Sequence, residues 1–175
     1  MVPIHAQGFF TVSINGLVTQ VTVFDYFDPM EYYAGLLEGS PGLEEEYRKL
    51  SFNMQEFLND EKVFINKKRV KPKVKGVDIC LRGERDKPSI VFIIIFKGVL
   101  KPGINLYEDF YEETEAEYDY EFYWVFPPGV TILEAEMPGD YEIIGDNILM
   151  VWVRKGEHVE GAEKISFWIP EGLLG

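Results

Sequence analysis

Cysteine and histidine are scarce in this sequence, and their scarcity limits the chemistry that the chain can carry. Cys80 is the only cysteine, which excludes an intramolecular disulfide and a zinc site built from several cysteines. His5 and His158 are the only histidines, too few for a three-histidine metal centre. Neither lies near a serine or cysteine in a nucleophile pattern. We therefore interpret both histidines as surface residues.

Several larger sequence features are also missing. There is no phosphate-binding glycine loop, no nucleophile elbow and no zinc-protease motif. No apolar run approaches the roughly 20 residues of a membrane helix, and the first residues lack the basic segment and apolar core of a signal peptide. These absences predict a cytoplasmic protein without a cofactor, a metal or a membrane partner. They also favour a function other than catalysis.

The charge balance is strongly acidic. Thirty Asp and Glu residues against 17 Lys and Arg give a net charge of −13, which argues against general binding to nucleic acid. The chain is 46% hydrophobic and 15% aromatic, a globular composition. Its 175 residues suit a single domain. The few glutamines and the many charged residues are typical of a thermophile.

One apolar run, residues 90–96, dominates the middle of the chain. All seven residues are β-branched or aromatic, and Pro88-Ser89 and Lys97-Gly98 flank them. A strand with one wet face alternates apolar and polar residues, whereas this one does not. The sequence therefore predicts the central strand of the main sheet, with a helix on one face and an opposing sheet on the other.

The remaining patterns predict the elements around this strand. Residues 8–27 contain two alternating segments joined by Asn15-Gly16, which favours a β-hairpin with a type I′ turn. Asp28-Pro29 and Ser40-Pro41 are typical helix starts. The second helix has one apolar face, formed by Leu43, Tyr47, Leu50, Met54, Phe57 and Leu58. From Lys62 onward, short strands alternate with polar turns.

These elements define the predicted fold class. We expect a mainly β, α+β protein, an antiparallel β-sandwich with an N-terminal β-hairpin and two helices packed on one face. Residues 1–175 form one domain, with the hairpin and helices in residues 1–61 and the sandwich core in residues 62–175.

An aromatic row offers a candidate ligand site. Strict alternation in residues 116–126 places Tyr118, Tyr120, Phe122 and Trp124 on one face of a strand. Such a row can line a cavity for an apolar or sugar-like small molecule. The alternative is that these side chains form the core of the sandwich.

Two charged stretches offer candidate interaction patches. Lys67, Lys68, Arg69 and Lys71 belong to a basic stretch, and Glu112, Glu113, Glu115 and Glu117 belong to an acidic one that also includes Asp109. Each is expected to lie on a solvated sheet face or edge. Their opposite charges also allow contact within one chain or between copies of it.

Two functional hypotheses follow. The first is a non-catalytic β-sandwich module that binds a protein partner or assembles with itself as a homo-oligomer. The second is a small-molecule binder that uses the aromatic row as a cavity.

Overall fold

The computed structural model describes residues 1–174, which form fourteen strands and two α-helices. The strands are β1 (Val2–Val12), β2 (Leu17–Phe27), β3 (Lys62–Ile65), β4 (Lys68–Val70), β5 (Lys73–Leu81), β6 (Pro88–Lys97), β7 (Gly103–Phe110), β8 (Thr114–Glu115), β9 (Asp119–Val125), β10 (Thr131–Glu136), β11 (Asp140–Ile144), β12 (Ile148–Val153), β13 (His158–Val159) and β14 (Ala162–Ile169). The helices are α1 (Tyr32–Leu37) and α2 (Leu43–Asp60).

Two large sheets form a sandwich. The seven-stranded sheet has the order β11-β12-β9-β1-β2-β6-β5, and the five-stranded sheet has the order β10-β14-β7-β3-β4. The largest core cluster lies between them and includes Trp124 and Phe122 of the first sheet and Phe167 of the second. The predicted mainly β, α+β fold class is confirmed.

The N-terminal hairpin lies in the middle of the seven-stranded sheet. β1 pairs with β2 on one side and with β9, more than a hundred residues away, on the other. The β1–β9 ladder is parallel, whereas the other ladders among the described residues are antiparallel. Residues 1–61 and 62–175 therefore share one sheet.

The hairpin turn differs from the predicted type I′ turn. That turn requires positive φ at both central residues, but of Asn15 and Gly16 only Gly16 has it, at 82°. The Gly16 N–H donates to the Ser13 carbonyl (2.9 Å) and the Ser13 N–H to the Leu17 carbonyl (2.8 Å), which makes a three-residue loop. The Asn15 side chain stabilises this loop because its Oδ1 accepts from the Leu17 N–H.

Both helices form, but each begins later than its sequence signal. Asp28 and Pro29 build a turn, and α1 begins at Tyr32, whose neighbour Tyr33 donates its N–H to Asp28 Oδ2. α2 begins at Leu43 after Gly42, whose φ is 108°. The face of α2 that packs on the sheet is the predicted one except for Phe57, which is exposed.

The strand built on residues 90–96 is not buried on both faces, so that prediction is wrong. Ile90, Phe92 and Ile94 are buried beneath the helices, while Ile93 between them is 43% exposed. Helix α2 and the five-stranded sheet cover different regions of the same face of the seven-stranded sheet. The alternate side chains of β6 therefore remain on the open face, and β6 lies next to the edge strand β5.

Candidate functional site

A cleft lies on the inner face of the seven-stranded sheet, between the region that α2 covers and the region that the five-stranded sheet covers. It consists of three adjoining cavities of about 240, 230 and 500 Å³. Gln20, at the centre of β2, lines all three. The first cavity shares Thr22 and Phe24 with the third, and it shares Phe10 and Tyr120 with the second. The three cavities therefore adjoin one another along the inner face of the sheet.

The walls of the first and third cavities are mostly apolar and aromatic. Phe10 and Phe24 come from the hairpin, and Met54 and Phe57 come from the C-terminal half of α2. The exposure of Phe57 on the surface is explained by this position at the rim of the third cavity. Apolar walls of this kind bind the hydrophobic parts of small ligands.

The aromatic row of β9 is divided between the cleft and the core. Tyr118, Tyr120 and Phe122 line the first cavity. Trp124 is 1% exposed and stacks on Phe10, with ring centroids 4.4 Å apart, deep in the sandwich. The structure therefore brings three of the four predicted ligand-binding residues to the cleft and places the fourth in the core.

Three carboxyl groups face inward on neighbouring strands at the second cavity. Glu61 directly precedes β3, Asp109 lies near the end of β7, and Glu163 lies near the start of β14; all three line this cavity. Asp109 pairs in register with Val63 and Glu163. Directly paired residues point to the same side of a sheet. These acids therefore continue the inward face to which buried Val63 and Ile165 belong.

Burial governs the electrostatics of this acidic cluster, which we define as Glu61, Asp109 and Glu163. Burial raises the pKa of Glu163 to about 8, and the charge of Asp109 adds to the effect. Burial also raises the pKa of Glu61 and of Asp109 above their usual range. Charged carboxylates lose their hydration here and repel one another, so the neutral forms are favoured.

The hydrogen bonds of the cluster are incomplete. The Tyr111 hydroxyl donates to Glu163 Oε1 at 3.1 Å. Asp109 is only 8% exposed, and its Oδ1 is buried without a hydrogen-bond partner. Buried polar atoms are almost always paired in proteins, so the unpaired oxygen of this cavity-lining residue is an acceptor available to a bound group.

Sequence reasoning assigns Asp109 to a solvated outer face, and this assignment is wrong. It does not single out Glu61 or Glu163. A signal is nevertheless present, because each acid lies two positions from a buried apolar or aromatic residue of β3, β7 or β14. Glu61 precedes Val63 and Ile65, Asp109 follows Tyr107, and Glu163 precedes Ile165 and Phe167. Strand alternation extended by one step places each acid on the inward face.

Most residues of the predicted charged patches lie outside the cleft. Glu117 lines the third cavity, and Arg69 donates to the carbonyl oxygen of Glu61, which lines the second and third. Lys67 is in the turn between β3 and β4, beside Leu106, and Lys68, Arg69 and Lys71 follow it along the exposed edge of the five-stranded sheet. The acidic residues follow the C-terminal end of β7 at Phe110; they are Glu112, Glu113, Glu115 and Glu117. Among residues 1–174, no salt bridge joins the two groups.

The two histidines occupy different environments. His158 is exposed and contacts Glu113 at 2.7 Å. His5 is partly buried on the outer face of the seven-stranded sheet, where its Nε2 contacts Glu121 at 2.7 Å and its Nδ1 contacts Asp25 at 3.5 Å. Ser89 donates to Asp25 rather than to His5. Asp25 therefore lies between Ser89 and His5. A serine nucleophile is activated by a direct hydrogen bond from its hydroxyl to a base such as histidine, and this arrangement lacks that bond.

Two further properties concern the described chain. Within residues 1–174, no three His, Cys, Asp or Glu side chains converge closely enough to hold a metal ion. None of the helices in this part of the chain is long and apolar enough to span a membrane.

Comparison with known proteins yields structural likenesses alone. No protein-family model and no curated protein sequence matches the chain. The folded domain of the LppM protein from Mycobacterium tuberculosis, solved by NMR, is similar at 10% identity with a TM-score of 0.48, over 98% of this chain and 94% of that one. A putative protease from Parabacteroides distasonis has 7% identity and a TM-score of 0.34 over 96% of this chain, which spans 40% of that protein. Neither likeness indicates what this chain does.

Proposed function

We propose that this protein is a non-catalytic binding protein that takes up a small molecule with an apolar body in the cleft. The observation that carries the proposal is the group of adjoining cavities beside Tyr118, Tyr120 and Phe122. Its individual cavities, of about 230 to 500 Å³, are comparable to ligand pockets in other proteins.

Contrast with the sandwich core supports this proposal. Around Trp124 and Tyr107 the sheets close to a space of only about 10 Å³. Protein interiors normally contain few voids larger than a water molecule, because the atoms that line a void lose dispersion contacts. The cleft is much less densely packed than this core, and both aromatic and polar side chains line it.

Filling the cleft is expected to abolish uptake of an apolar dye. Thr22 lines the first and third cavities, so a tryptophan at this position would occupy the space between Phe24 and Tyr118. We expect Thr22→Trp to weaken binding of the neutral dye Nile red by about tenfold or more, since the ligand loses most of its contact area. Fluorescence titration measures the change.

A matched control lies on the same strand. Thr19 is also partly buried but points to the opposite face, where it pairs with Ile95. We expect Thr19→Trp to leave dye affinity within about twofold of the unsubstituted protein. Equal affinities for all three proteins would contradict binding in the cleft.

A second candidate function, self-association, has its own supporting observation. The outer face of the seven-stranded sheet carries exposed apolar side chains on β9, β1 and β6, namely Val125 (37%), Phe9 (41%) and Ile93 (43%). Val21 of β2 lies between Phe9 and Ile93 in register. Phe9 also stacks on Tyr123 of β9. Contiguous apolar surface of this kind is typical of interaction sites. We propose a second copy of the chain as the occupant, because a sheet face can pack on its own symmetry mate as sheets do in a sandwich.

The charged stretches belong to this second proposal. Lys67 lies beside Leu106 in the middle of β7, whereas the acidic segment that contains Glu112 and Glu115 follows the end of β7. We therefore propose that they contact each other between copies rather than within one. Such contacts would add specificity and salt dependence more than affinity.

A charge within the exposed apolar part of the outer face is expected to separate the copies. Ile93→Lys places an ammonium group where two apolar faces would meet, and burying an unpaired charge is costly. If the protein elutes as a dimer, light scattering should show that this variant has the mass of one chain. The control Val99→Lys alters a residue that is 69% exposed in the loop after β6, and it should leave the mass unchanged. A monomeric parent protein at all concentrations contradicts this second function.

A further inference from the structure

We infer that the small molecule bound in the cleft carries an organic ammonium group, which Asp109 receives between Glu61 and Glu163. This inference rests on the proposed function and adds the chemical class of the ligand. Its observations are independent of the apolar walls that support uptake in general.

The charge of the cleft is one-sided. Glu61, Asp109 and Glu163 line the second cavity, whereas no Lys or Arg lines any of the three cavities among the described residues. Arg69 is the basic residue whose charge reaches Asp109, and it is exposed and donates instead to the Glu61 carbonyl oxygen. Buried carboxylates are normally paired with cations, so this site lacks a positive partner within the chain.

Asp109 provides the hydrogen-bond acceptor that an ammonium group requires. Its Oδ1 is buried and has no hydrogen-bond partner, and Asp109 is one of the residues that line the second cavity. An ammonium group carries three donors and no acceptor, so it can satisfy this oxygen together with an oxygen of Glu61 or Glu163. An anionic headgroup would face three carboxyl groups, and a neutral hydroxyl would leave the charge of Asp109 uncompensated.

Aromatic rings complete the site. Phe10, Tyr107, Tyr111 and Tyr120 line the same cavity as the acidic cluster. Ring faces attract organic cations, and the attraction increases when both partners are removed from water. The apolar chain of such a ligand would extend past Gln20 toward Phe24 and Met54 in the adjoining cavities.

Three probes that share an eight-carbon chain test the headgroup. Octylamine, octanol and octanoate are titrated calorimetrically into the protein at about pH 7, where an aliphatic amine is protonated. We expect octylamine to bind about tenfold more tightly than octanol, the gain that a charge-assisted hydrogen bond typically gives. Octanoate should bind more weakly than octanol because of repulsion by the acidic cluster.

The binding should also release protons. An ammonium group stabilises the charged carboxylates, so protonated Glu163 and Glu61 would lose protons when octylamine enters. The heat of octylamine binding should therefore differ between phosphate and Tris buffers, which have different ionisation enthalpies. Octanol should give the same heat in both buffers.

Two variants assign the headgroup to the cluster. Asp109→Asn and, in case that variant does not fold, Glu163→Gln should each reduce the affinity for octylamine by about tenfold and leave that for octanol within about twofold. The control Glu108→Gln removes one charge from the neighbouring residue, which points away from the cleft, and should change neither affinity.

The outcomes separate the two proposals. If octylamine and octanol bind equally and neither cluster variant discriminates between them, the ammonium inference is wrong while uptake of apolar molecules stands. If none of the three probes binds and Nile red does not bind either, the proposed binding function fails, and the inference fails with it.

Discussion

Replacement of Trp124 by alanine is expected to lower the free energy of unfolding by about 3–5 kcal/mol, the range for a large aromatic side chain removed from a packed core. Trp124 is 1% exposed and lies between Phe10 and Tyr107, with ring centroids 4.4 and 4.5 Å away. The surrounding strands cannot collapse into the space because both sheets are held by their ladders. Denaturant titration measures the change.

A tryptophan on the opposite face of the same sheet is the control. Trp152 of β12 is 37% exposed on the outer face, so Trp152→Ala should cost only about 1 kcal/mol. This comparison also decides the role of Trp124 in the predicted ligand site. If Trp124→Ala abolished dye binding and left the unfolding free energy unchanged, Trp124 would belong to the ligand surface rather than to the core.

The acidic cluster is expected to make the protein less stable as the pH rises from about 5 to about 8. In the unfolded chain, Glu163 loses its proton near its usual pKa of 4.5, whereas in the folded protein burial raises this pKa to about 8. Between these values the unfolded state binds fewer protons, so the free energy of unfolding falls with increasing pH. Below about pH 4.5 both states are protonated, and the effect disappears.

Glu61 and Asp109 contribute with the same sign, because burial also raises their pKa values. A shift of one pKa unit corresponds to about 1.4 kcal/mol, and partial exposure reduces the effective shift. We therefore expect a total loss of at least about 2 kcal/mol across this window. Chemical denaturation at a series of pH values measures the slope.

Glu163→Gln tests the assignment of this slope. Glutamine keeps an acceptor for the Tyr111 hydroxyl but never carries a charge. The variant should be about 1–2 kcal/mol more stable than the parent protein at pH 8 and nearly equal to it at pH 5. Glu142→Gln, at an exposed residue of β11, is the control and should leave the slope unchanged. If Glu163→Gln left the pH dependence of the unfolding free energy unchanged, that dependence would come from other residues.

Local patterns predict most of the elements. The hairpin, the packing face of α2 and most short strands form where turn chemistry and periodicity place them, because these signals act over a few residues. The errors lie at the boundaries. A turn at Asp28 delays α1 to Tyr32. Thr114–Glu115 pairs with His158–Val159 as a small sheet of its own, a long-range pairing that no local pattern predicts.

Half of the candidate site could be found from the sequence. Tyr118, Tyr120 and Phe122 stand out through strict alternation, but nothing local distinguishes a lining residue from a core residue such as Trp124. The acidic cluster is harder to find, because Glu61, Asp109 and Glu163 come from segments about 50 residues apart. Only the register of β7 with β3 and β14 brings them together.

The sequence by itself determined the fold class, because alternation, turn residues and helix starts are encoded by neighbouring side chains. Tertiary structure alone decided that the strand containing Ile93 has one open face and that a cleft separates α2 from the five-stranded sheet. The physical reason is that burial depends on which distant elements cover a surface. The apolar residues of a run indicate how much its burial would stabilise the protein. They do not indicate whether another element lies close enough to bury it.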